Sequence, residues 1–244
     1  MSRTRICNVT PDDVIVRGRS LPRELIGKRT FTEMAWLQAI GSLPSPDQTA
    51  ILDACLVTLM EHGFTPSVIA ARSTYSAAPE SIQGAVAAGL LGVGATFAGS
   101  MEQCGALLAR ITSGEDPGAI VIEHRAAGRP VPGFGHPVHR PEDPRAVRLL
   151  DLARERKVAG PHTSALQRLS KAVDGALRRH LPINATGAFA AVLLDVGAPV
   201  GVLRGFALVA RSAGLVGHLL EEQQDPAFPA IASAADRAVP YESE

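Results

Sequence analysis

The stretch Leu203-Arg-Gly-Phe-Ala-Leu-Val-Ala-Arg-Ser-Ala-Gly-Leu-Val-Gly-His-Leu-Leu220 indicates which secondary structure dominates this chain. Its apolar and small residues recur at helical spacing, and one stripe contains Leu203, Phe206, Ala207, Ala210, Ala213, Gly214, Gly217 and Leu220. Such a stripe is typical of an amphipathic helix with one buried face. We therefore expect a long helix from about Pro199 to Glu222.

Other helix starts can be located from proline and its acidic or hydroxyl neighbours. Ser45-Pro46-Asp47 predicts a helix to about residue 63, and Asp143-Pro144 predicts one to about residue 158. Ala78-Pro79-Glu80 predicts the start of a helix over residues 81–101, which carry no formal charge. Its many glycines and alanines favour a buried, closely packed helix over a membrane span. With only 4% aromatic residues and short β-branched runs, the chain is expected to be all-α.

Composition excludes several classes of protein. The 244 residues are enough to bury a full core, and the formal net charge of +0 disfavours nucleic-acid binding. The first thirteen residues lack the apolar run of a signal peptide, and an odd total of three cysteines argues against a disulfide framework or a zinc site. We therefore expect a cytoplasmic protein that needs no metal and does not bind membranes.

Residues 114–142 are rich in Pro, Gly, His and Arg, and their second half is predicted to be a functional loop. It contains Val131-Pro-Gly-Phe-Gly-His-Pro-Val-His-Arg-Pro-Glu-Asp-Pro-Arg145. Two glycines around an aromatic residue allow the backbone to lie against a flat ligand, and His136 can exchange a proton near neutral pH. Arg145 would fall in the first turn of the next helix, where it could clamp a carboxylate. On these residues alone, a proline-rich surface turn with solvated charges is the alternative.

The run from Gly133 to Arg145 resembles the signature of the citrate synthase family, in which a G-[FY]-G-H loop precedes a basic residue and D-P-R. Leu59-Met-Glu-His-Gly63 is similar to that family's D-H-G or D-H-E helix end, and Ala210-Arg-Ser-Ala-Gly-Leu-Val-Gly-His218 resembles its R-S-x-G-x-x-G-H helix. Residues 4–7 and 15–27 resemble the start of citryl-CoA lyase domains. The length is similar to that of stand-alone citryl-CoA lyases.

The resemblance implies an all-helical, citrate synthase-like fold with an active site in a cleft between two domains. Residues 1–101 and 190–244 would form the large domain, and residues 102–189 the small, CoA-binding one. It also implies a homodimer or higher homo-oligomer, for which the small-residue segment 81–101 offers a packing face.

The resemblance also implies roles for individual residues. The loop would contact CoA through Val131, Gly133, Phe134 and Gly135, with Asn184 nearby, while Arg140, Arg125 and Arg129 would face its phosphates. His62, His136, Arg145 and Arg211 match positions that hold the hydroxy-polycarboxylate. On the predicted C-terminal helix Arg204, Arg211 and His218 are seven residues apart, so they share one face at intervals of about 10 Å; a solvent-facing polar stripe is the alternative.

The implied chemistry is cleavage of a carbon–carbon bond next to a thioester, in which citryl-CoA gives acetyl-CoA and oxaloacetate. His136 would hydrogen-bond the thioester oxygen as an enolate forms, and His62 would either deprotonate the substrate hydroxyl or polarise the ketone product. No permanently bound cofactor is implied, because the coenzyme A thioester is itself the substrate. The expected partners are thus small molecules, an acyl-CoA and an oxo acid.

Two departures from the family pattern bear on the direction of the reaction. Thr186, in Asn184-Ala-Thr-Gly187, stands where the family carries the aspartate that moves the acetyl-CoA methyl proton, and Ala98 stands where citrate synthases carry a histidine. Glu102 or Glu61 could substitute as a carboxylate, or they could be ordinary packing charges. The alternatives are therefore a citrate or 2-methylcitrate synthase running the condensation, and a catalytically silent paralogue that binds CoA or carboxylates.

Overall fold

A computed structural model of the chain describes residues 2–94 and 99–242. It contains a three-stranded antiparallel sheet of β1 (Cys7–Val9), β2 (Val14–Val16) and β3 (Arg19–Ser20), followed by a π-helical turn at Leu21–Leu25. The register pairs Cys7 with Val16 and Ile15 with Ser20. The rest of the described secondary structure is helical apart from an isolated bridge between Phe134 and Ile183, so the expected all-α class is confirmed.

The first five helices are α1 (Phe31–Ile40), α2 (Pro46–Met60), α3 (Pro66–Ala77), α4 (Ile82–Leu91) and α5 (Ser100–Thr112). They are followed by α6 (Pro117–Ala126), α7 (Pro144–Glu155), α8 (Pro161–Leu177) and α9 (Ala185–Asp195). A 3₁₀ turn at Val200–Val202 leads into α10 (Leu203–Gln224), and the last helix is α11 (Phe228–Ala238). The helices predicted to start at Pro46, at Pro144 and at about Pro199 are thus confirmed, with each end within about four residues of the prediction.

The single helix predicted over residues 81–101 is wrong. Helix α4 ends at Leu91, and α5 does not begin until Ser100. Glycine is a poor helix former, and the run between these ends contains Gly92, Gly94 and Gly99. A Cβ added at Gly92 would lie 3.0 Å from the Cα of Ser67, so this turn follows the backbone of α3 closely. Ala98 lies outside the described residues.

The chain divides into two compact units. Unit 1 consists of residues 1–55 and 100–206, and unit 2 of residues 56–99 and 207–244. These bounds differ from the expected domains of residues 1–101 with 190–244 and residues 102–189. That functional division stays a prediction.

The core of unit 1 is built around α9. This helix is apolar on all sides, with residues 187–194 fully buried, as expected for a helix in the middle of a core. It packs against α5, α7 and α8. Trp36 of α1 stacks on Phe206 with ring centroids 6.3 Å apart. Helix α9 is thus the central helix of this core.

The core of unit 2 is a smaller cluster of Val68, Ala71, Ala85, Leu215 and Leu219, from α3, α4 and α10. A Cβ added at Gly89 of α4 would lie 2.7 Å from a methyl group of Leu215, so a larger side chain would push the helices apart. Close packing through small residues, which the sequence predicted for this segment, is confirmed at Gly89.

By length and composition, residues Val200–Gln224 of the described chain could also span a membrane. Core helices of soluble proteins pass the same test. Polar groups near the end of the segment, His218, Glu221 and Glu222, are hydrogen-bonded to Arg72 of unit 2. Cytoplasmic location stays a prediction.

Candidate active site

The glycine-bounded loop of unit 1 lies against the start of α9. Phe134 forms a β-bridge with Ile183, the N–H of Gly135 donates to the carbonyl of Pro182 at 2.8 Å, and the N–H of Asn184 donates to the carbonyl of Gly133 at 3.0 Å. Gly133 and Gly135 have φ of +93° and +80°, a region that favours glycine. A Cβ added at Gly133 would lie 2.6 Å from the Sγ of Cys104 on α5. The tight turn that the sequence predicted is therefore present and held from two sides.

Asn184 connects this loop to helix α9. Its Oδ1 accepts from the N–H of Gly187 at 3.1 Å, which caps the helix, and its Nδ2 donates to the carbonyl of Gly135 at 3.0 Å. Because both ends of the amide are engaged, Asn184 fixes the register between the loop and the helix. The sequence placed Asn184 among the CoA contacts, and the structure places it at the base of the loop.

His136 follows the second glycine of the loop. Its Nδ1 lies 3.1 Å from the backbone nitrogen of Val138 and 3.0 Å from that of His139, and both groups are N–H donors. A neutral imidazole carries a single N–H, so Nε2 holds the proton when Nδ1 accepts. The ring also stacks on His139 with centroids 4.4 Å apart. The loop backbone thus presents the Nε2–H of His136 as a hydrogen-bond donor.

Arg145 brings a second donor to the same place. Its Nη2 lies 3.3 Å from Nε2 of His136. Guanidinium nitrogens do not accept hydrogen bonds, so two donors face each other at this point. An anionic oxygen is the group that would satisfy both donors. Unit 1 therefore brings His136 and Arg145 together as the sequence predicted.

Asp143 holds Arg145 in this position. Its fully buried carboxylate accepts from the backbone N–H of Arg145 at 3.0 Å and from Nε and Nη2 of its guanidinium at 3.0 and 2.8 Å. It also accepts from the N–H of Ala185 at 3.0 Å, at the start of α9. Burial by itself raises the pKa of Asp143, but the hydrogen bonds and charge of Arg145 outweigh it, so the pKa stays below its ordinary value. Asp143 is therefore a buried anion that joins the first turns of α7 and α9.

Thr186 lies in the first turn of α9 with two polar neighbours. Its hydroxyl donates to Oδ1 of Asn184 at 2.7 Å and lies 3.1 Å from Oγ of Ser100, the first residue of α5. All three groups are neutral, and a threonine hydroxyl is not a base at pH 7. Within residues 2–94 and 99–242, the hydrogen-bond partners given for Thr186 therefore include no carboxylate.

The two carboxylates named as substitutes are both engaged elsewhere. Glu102 forms an ion pair with Arg204 at 3.0 Å in unit 1. Glu61, in unit 2, accepts from the N–H groups of His62 and Gly63 and lies 2.9 Å from His218. Burial raises the pKa of Glu61, whereas His218 and the two backbone donors lower it by more, so the net shift is downward. Both contacts favour the interpretation of Glu61 and Glu102 as packing charges.

The arginines expected to face CoA phosphates are exposed at the surface of unit 1. Arg125 donates to the carbonyl of Ala176 at 2.7 Å, at the end of α8, and Arg129 and Arg140 follow in the exposed parts of the segment. The start of the loop is fixed by His124, whose Nδ1 lies 3.0 Å from the carbonyl oxygen of Pro130. Val131 is half-buried between these features.

His62 and Arg211 belong to unit 2. His62 follows the end of α2 and is exposed, and Arg211 is half-buried on α10. Their predicted roles in holding the hydroxy-polycarboxylate rest on the family resemblance.

Three residues of this region escaped the sequence analysis as site residues. Asp143 was recognised as a helix start and as part of the D-P-R signature, but no role was assigned to its side chain. Ser100 and Arg72 had no signal, because their partners Thr186 and His218 are 86 and 146 positions away along the chain. Such pairings are set by the fold rather than by a local motif.

The sequence profile described as the citrate synthase C-terminal domain matches residues 35–230. The citryl-CoA lyase of Hydrogenobacter thermophilus superposes with a TM-score of 0.88 at 30% identity, over 100% of this chain and 95% of that one. An ATP citrate lyase from Methanothrix soehngenii, solved with citrate and coenzyme A, superposes with a TM-score of 0.83 over 100% of this chain and 42% of that one. At 19% identity, this second likeness shows the fold alone.

Among curated sequences, putative citrate synthase 2 of Mycobacterium tuberculosis is 27% identical over 213 residues, covering 84% of this chain and 56% of that protein. The chain thus spans little more than half the length of the first curated relatives that it matches. These proteins are enzymes of the citrate synthase and citryl-CoA lyase type. The family profile alone covers well over half of the sequence, so the chain belongs to the citrate synthase family.

Proposed function

We propose that this chain is a carbon–carbon lyase that cleaves citryl-CoA, or a closely similar 3-hydroxy-polycarboxyl-CoA, to acetyl-CoA and oxaloacetate. The likeness to the Hydrogenobacter citryl-CoA lyase, which extends over nearly the full length of both chains, supports this substrate class. The observation that carries the proposed direction is that Thr186 has neutral hydrogen-bond partners, since its hydroxyl donates to Asn184 and lies 3.1 Å from Oγ of Ser100.

The reaction begins with loss of the substrate hydroxyl proton to His62. The bond between the carbinol carbon and the thioester methylene then breaks, and its electron pair moves into the thioester to form an enolate. The carbinol carbon becomes the ketone of oxaloacetate. Protonation of the enolate at carbon completes acetyl-CoA.

His136 and Arg145 supply the electrostatic part of this mechanism. The Nε2–H of His136 donates to the enolate oxygen as its negative charge develops, and Arg145 binds a substrate carboxylate beside it. Because Asp143 and the loop backbone already fix both groups, little reorganisation is needed when the charge forms. In unit 2, Arg211 provides a second positive group for the polycarboxylate.

The lack of a carboxylate at position 186 bears first on the condensing reaction. Condensation starts by removing a weakly acidic methyl proton, which needs a positioned base. In cleavage the enolate is formed by bond breaking, and it is basic enough to take a proton from water or from a hydroxyl group. Thr186 thus leaves condensation without the base that would start it, whereas cleavage would start at the hydroxyl proton, which His62 takes in the proposed mechanism.

The loop residues Val131, Gly133, Phe134 and Gly135 would hold the adenine of CoA against their backbone, with Asn184 supporting the turn. Arg140, Arg125 and Arg129 would contact its phosphates, which suits their exposure. The CoA thioester is the substrate, and no permanently bound cofactor is part of the proposal. A homo-oligomer is proposed from the family resemblance, and light scattering on the eluting protein would measure its mass.

The test uses two parallel reactions of the purified protein. One contains citryl-CoA, with oxaloacetate and acetyl-CoA followed over time; the other contains acetyl-CoA and oxaloacetate, with free CoA followed. A lyase releases oxaloacetate and acetyl-CoA in equal amounts in the first reaction. Free CoA in the second reaction alone would identify a synthase, and CoA binding without turnover would identify a silent paralogue. Consumption of citryl-CoA no faster than its spontaneous hydrolysis would refute the proposal.

The variant His136→Ala tests the role of the loop histidine. We expect turnover of citryl-CoA to fall by about 10²- to 10⁴-fold, because the donor to the developing oxyanion is lost, while CoA affinity changes by only a few-fold. His162→Ala is the matched control, since His162 is bonded to Asp195 at 3.0 Å at the start of α8. Equal losses of turnover and CoA affinity in His136→Ala would indicate a purely structural loop.

A further inference from the structure

Unit 2 contains a buried arginine with several partners. Arg72 of α3 is fully buried, its Nη1 lies 2.6 Å from Oε2 of Glu222, and its Nη2 is hydrogen-bonded to Glu221. The ring of Phe64 lies 5.3 Å from the guanidinium carbon. Glu222 is also buried and accepts from the N–H groups of Ala227 and Phe228, at the start of α11. A buried charge is stable only with such partners, so this set has a fixed geometry.

Arg72 also determines the tautomer of His218. Its Nη2 and Nε lie 2.8 and 3.3 Å from Nδ1 of His218. Since a guanidinium only donates, Nδ1 must accept, and Nε2 carries the ring proton. Nε2 lies 2.9 Å from Oε2 of Glu61 and donates to it. Arg72 therefore orients the His218 ring, and the ring in turn orients the carboxylate of Glu61.

The other oxygen of Glu61 reaches the backbone beside the predicted base. Oε1 accepts from the N–H of His62 at 2.7 Å and from the N–H of Gly63 at 2.5 Å. The packing here is close, because a Cβ added at Gly214 of α10 would lie 2.1 Å from the carbonyl oxygen of Met60. Glu61 is thus held by His218 on one side and fixes two consecutive peptide groups on the other.

We propose that His218 is a positioning residue, which acts through Glu61 to fix the His62–Gly63 backbone and thereby the direction of the His62 imidazole. The inference rests on the proposed function, in which His62 takes the hydroxyl proton of the substrate. This role would explain why position 218 carries a polar side chain and why Arg72 is buried beside it. A misdirected base loses rate at the proton-transfer step while substrate affinity is largely kept.

The kinetic test compares two substitutions at one position. His218→Leu removes both hydrogen bonds at similar volume, and we expect kcat for citryl-CoA cleavage to fall about 10-fold or more with KM within about threefold. His218→Gln keeps an amide that can donate to Glu61 and accept from Arg72, so its kcat should stay within about threefold of the wild-type value. His162→Leu, at a histidine bonded to Asp195 in unit 1, is the matched control and should leave kcat unchanged.

A second readout does not depend on turnover. In protein labelled with ¹⁵N-histidine, NMR should show His218 protonated at Nε2 and not at Nδ1. The amide proton of Gly63 should be protected from exchange in the wild-type protein and in His218→Gln, and unprotected in His218→Leu and in Glu61→Ala, which removes the accepting oxygen. These measurements follow the relay from ring to backbone in the folded protein.

The outcomes separate this inference from the proposed function. An Nδ1–H tautomer of His218, or a Gly63 amide unaffected by His218→Leu, would overturn the relay whatever the activity. If the Gly63 amide loses its protection from exchange in His218→Leu while kcat is unchanged, the positioning role of His218 is wrong. If the wild-type protein does not cleave citryl-CoA, the proposed function and the catalytic role of the relay fail together, while the NMR result still decides whether the relay exists.

Discussion

Two helices of unit 1 begin beside each other, α7 at Pro144 and α9 at Ala185, and their first turns carry different chemistry. The start of α7 holds the buried Asp143 paired with the half-buried Arg145, next to His136. The first turn of α9 carries the neutral side chains of Asn184 and Thr186, with Ser100 beside them, while Asp143 accepts from its backbone at Ala185. The guanidinium and imidazole proposed to bind substrate therefore lie at the start of α7. Position 186, proposed to match the family's aspartate, carries a hydroxyl whose described hydrogen-bond partners are neutral.

The largest expected effect comes from removing the anion that joins the two helix starts. Asp143→Ala leaves the guanidinium of Arg145 and the N–H of Ala185 without their carboxylate, and breaking a buried pair in this way typically costs about 3–5 kcal/mol. Urea denaturation measures the loss of unfolding free energy. Asp151→Ala, which removes the exposed partner of Arg154, is the control and should cost less than about 1 kcal/mol. Similar losses in the two variants would contradict a special role for Asp143.

The next test concerns the loop that lies against α9. Gly133→Ala and Gly135→Ala both introduce a side chain at positive φ, with a backbone cost of about 1–2 kcal/mol. Only the Cβ at Gly133 would also meet Cys104, at 2.6 Å, whereas that at Gly135 would meet a methyl group of Leu181 at 4.0 Å. We therefore expect Gly133→Ala to be the more destabilising by about 1–3 kcal/mol in the same denaturation experiment. Equal effects would mean that the loop does not depend on its contact with α5.

A carboxylate introduced at position 186 tests directly whether the missing base accounts for this difference between the two helix starts. Thr186→Asp should raise the rate of free CoA release from acetyl-CoA and oxaloacetate by about 10-fold or more, since a positioned base contributes about 10²–10⁴ when its geometry is right. Thr186→Asn has a similar size without charge and should show no such gain. An unchanged rate in Thr186→Asp would mean that Thr186 does not occupy the position of the family's aspartate, or that another base operates.

The smallest effect is expected from His180, which forms ion pairs at the protein surface. His180 bridges Asp174 at 2.6 Å and Glu142 at 3.2 Å. Its pKa is raised, first by the hydrogen bond to Asp174, against a smaller lowering by burial. Because the folded protein favours the protonated ring, the stabilisation is full below the ordinary pKa near 6.5 and is lost as pH rises through the raised pKa.

Since His180 is more than one-third exposed, solvent screening limits the contribution to about 0.5 kcal/mol. The unfolding free energies of the wild-type protein and His180→Gln should therefore differ by about that amount at pH 6 and converge at pH 9. A difference that grows with pH would contradict the assigned sign.

The sequence predicted those parts of the fold that depend on local signals. Pro46 and Pro144, each beside an aspartate, correctly marked the starts of α2 and α7, and the stripe from Leu203 correctly indicated α10. The segment 81–101 was mispredicted because its apolar composition resembles a helix, whereas its glycines break it between Leu91 and Ser100. The loop, His136 and Arg145 were found from one continuous motif.

The rest of the candidate site depends on contacts between distant positions. Arg72 sits in the unremarkable sequence Ala-Ala-Arg-Ser of α3, and nothing local indicates that its charge is buried. Its partners Glu221 and Glu222 come from the far end of α10. The hydrogen bond from the N–H of Ala185 to Asp143 likewise follows from helix packing, because the two residues are 42 positions apart.

The contact between Cys104 and the loop has a practical consequence for measuring liberated coenzyme. Burial raises the pKa of the Cys104 thiol to about 12 and that of Cys55 as well, whereas Cys7 lies in an exposed strand. Aromatic disulfide reagents react with thiolates, so a folded chain should contribute one fast-reacting sulfur to the colour and an unfolded chain three. When a thiol reagent is used to follow CoA release, the absorbance contributed by the protein alone would thus show in each assay whether the chain is still folded.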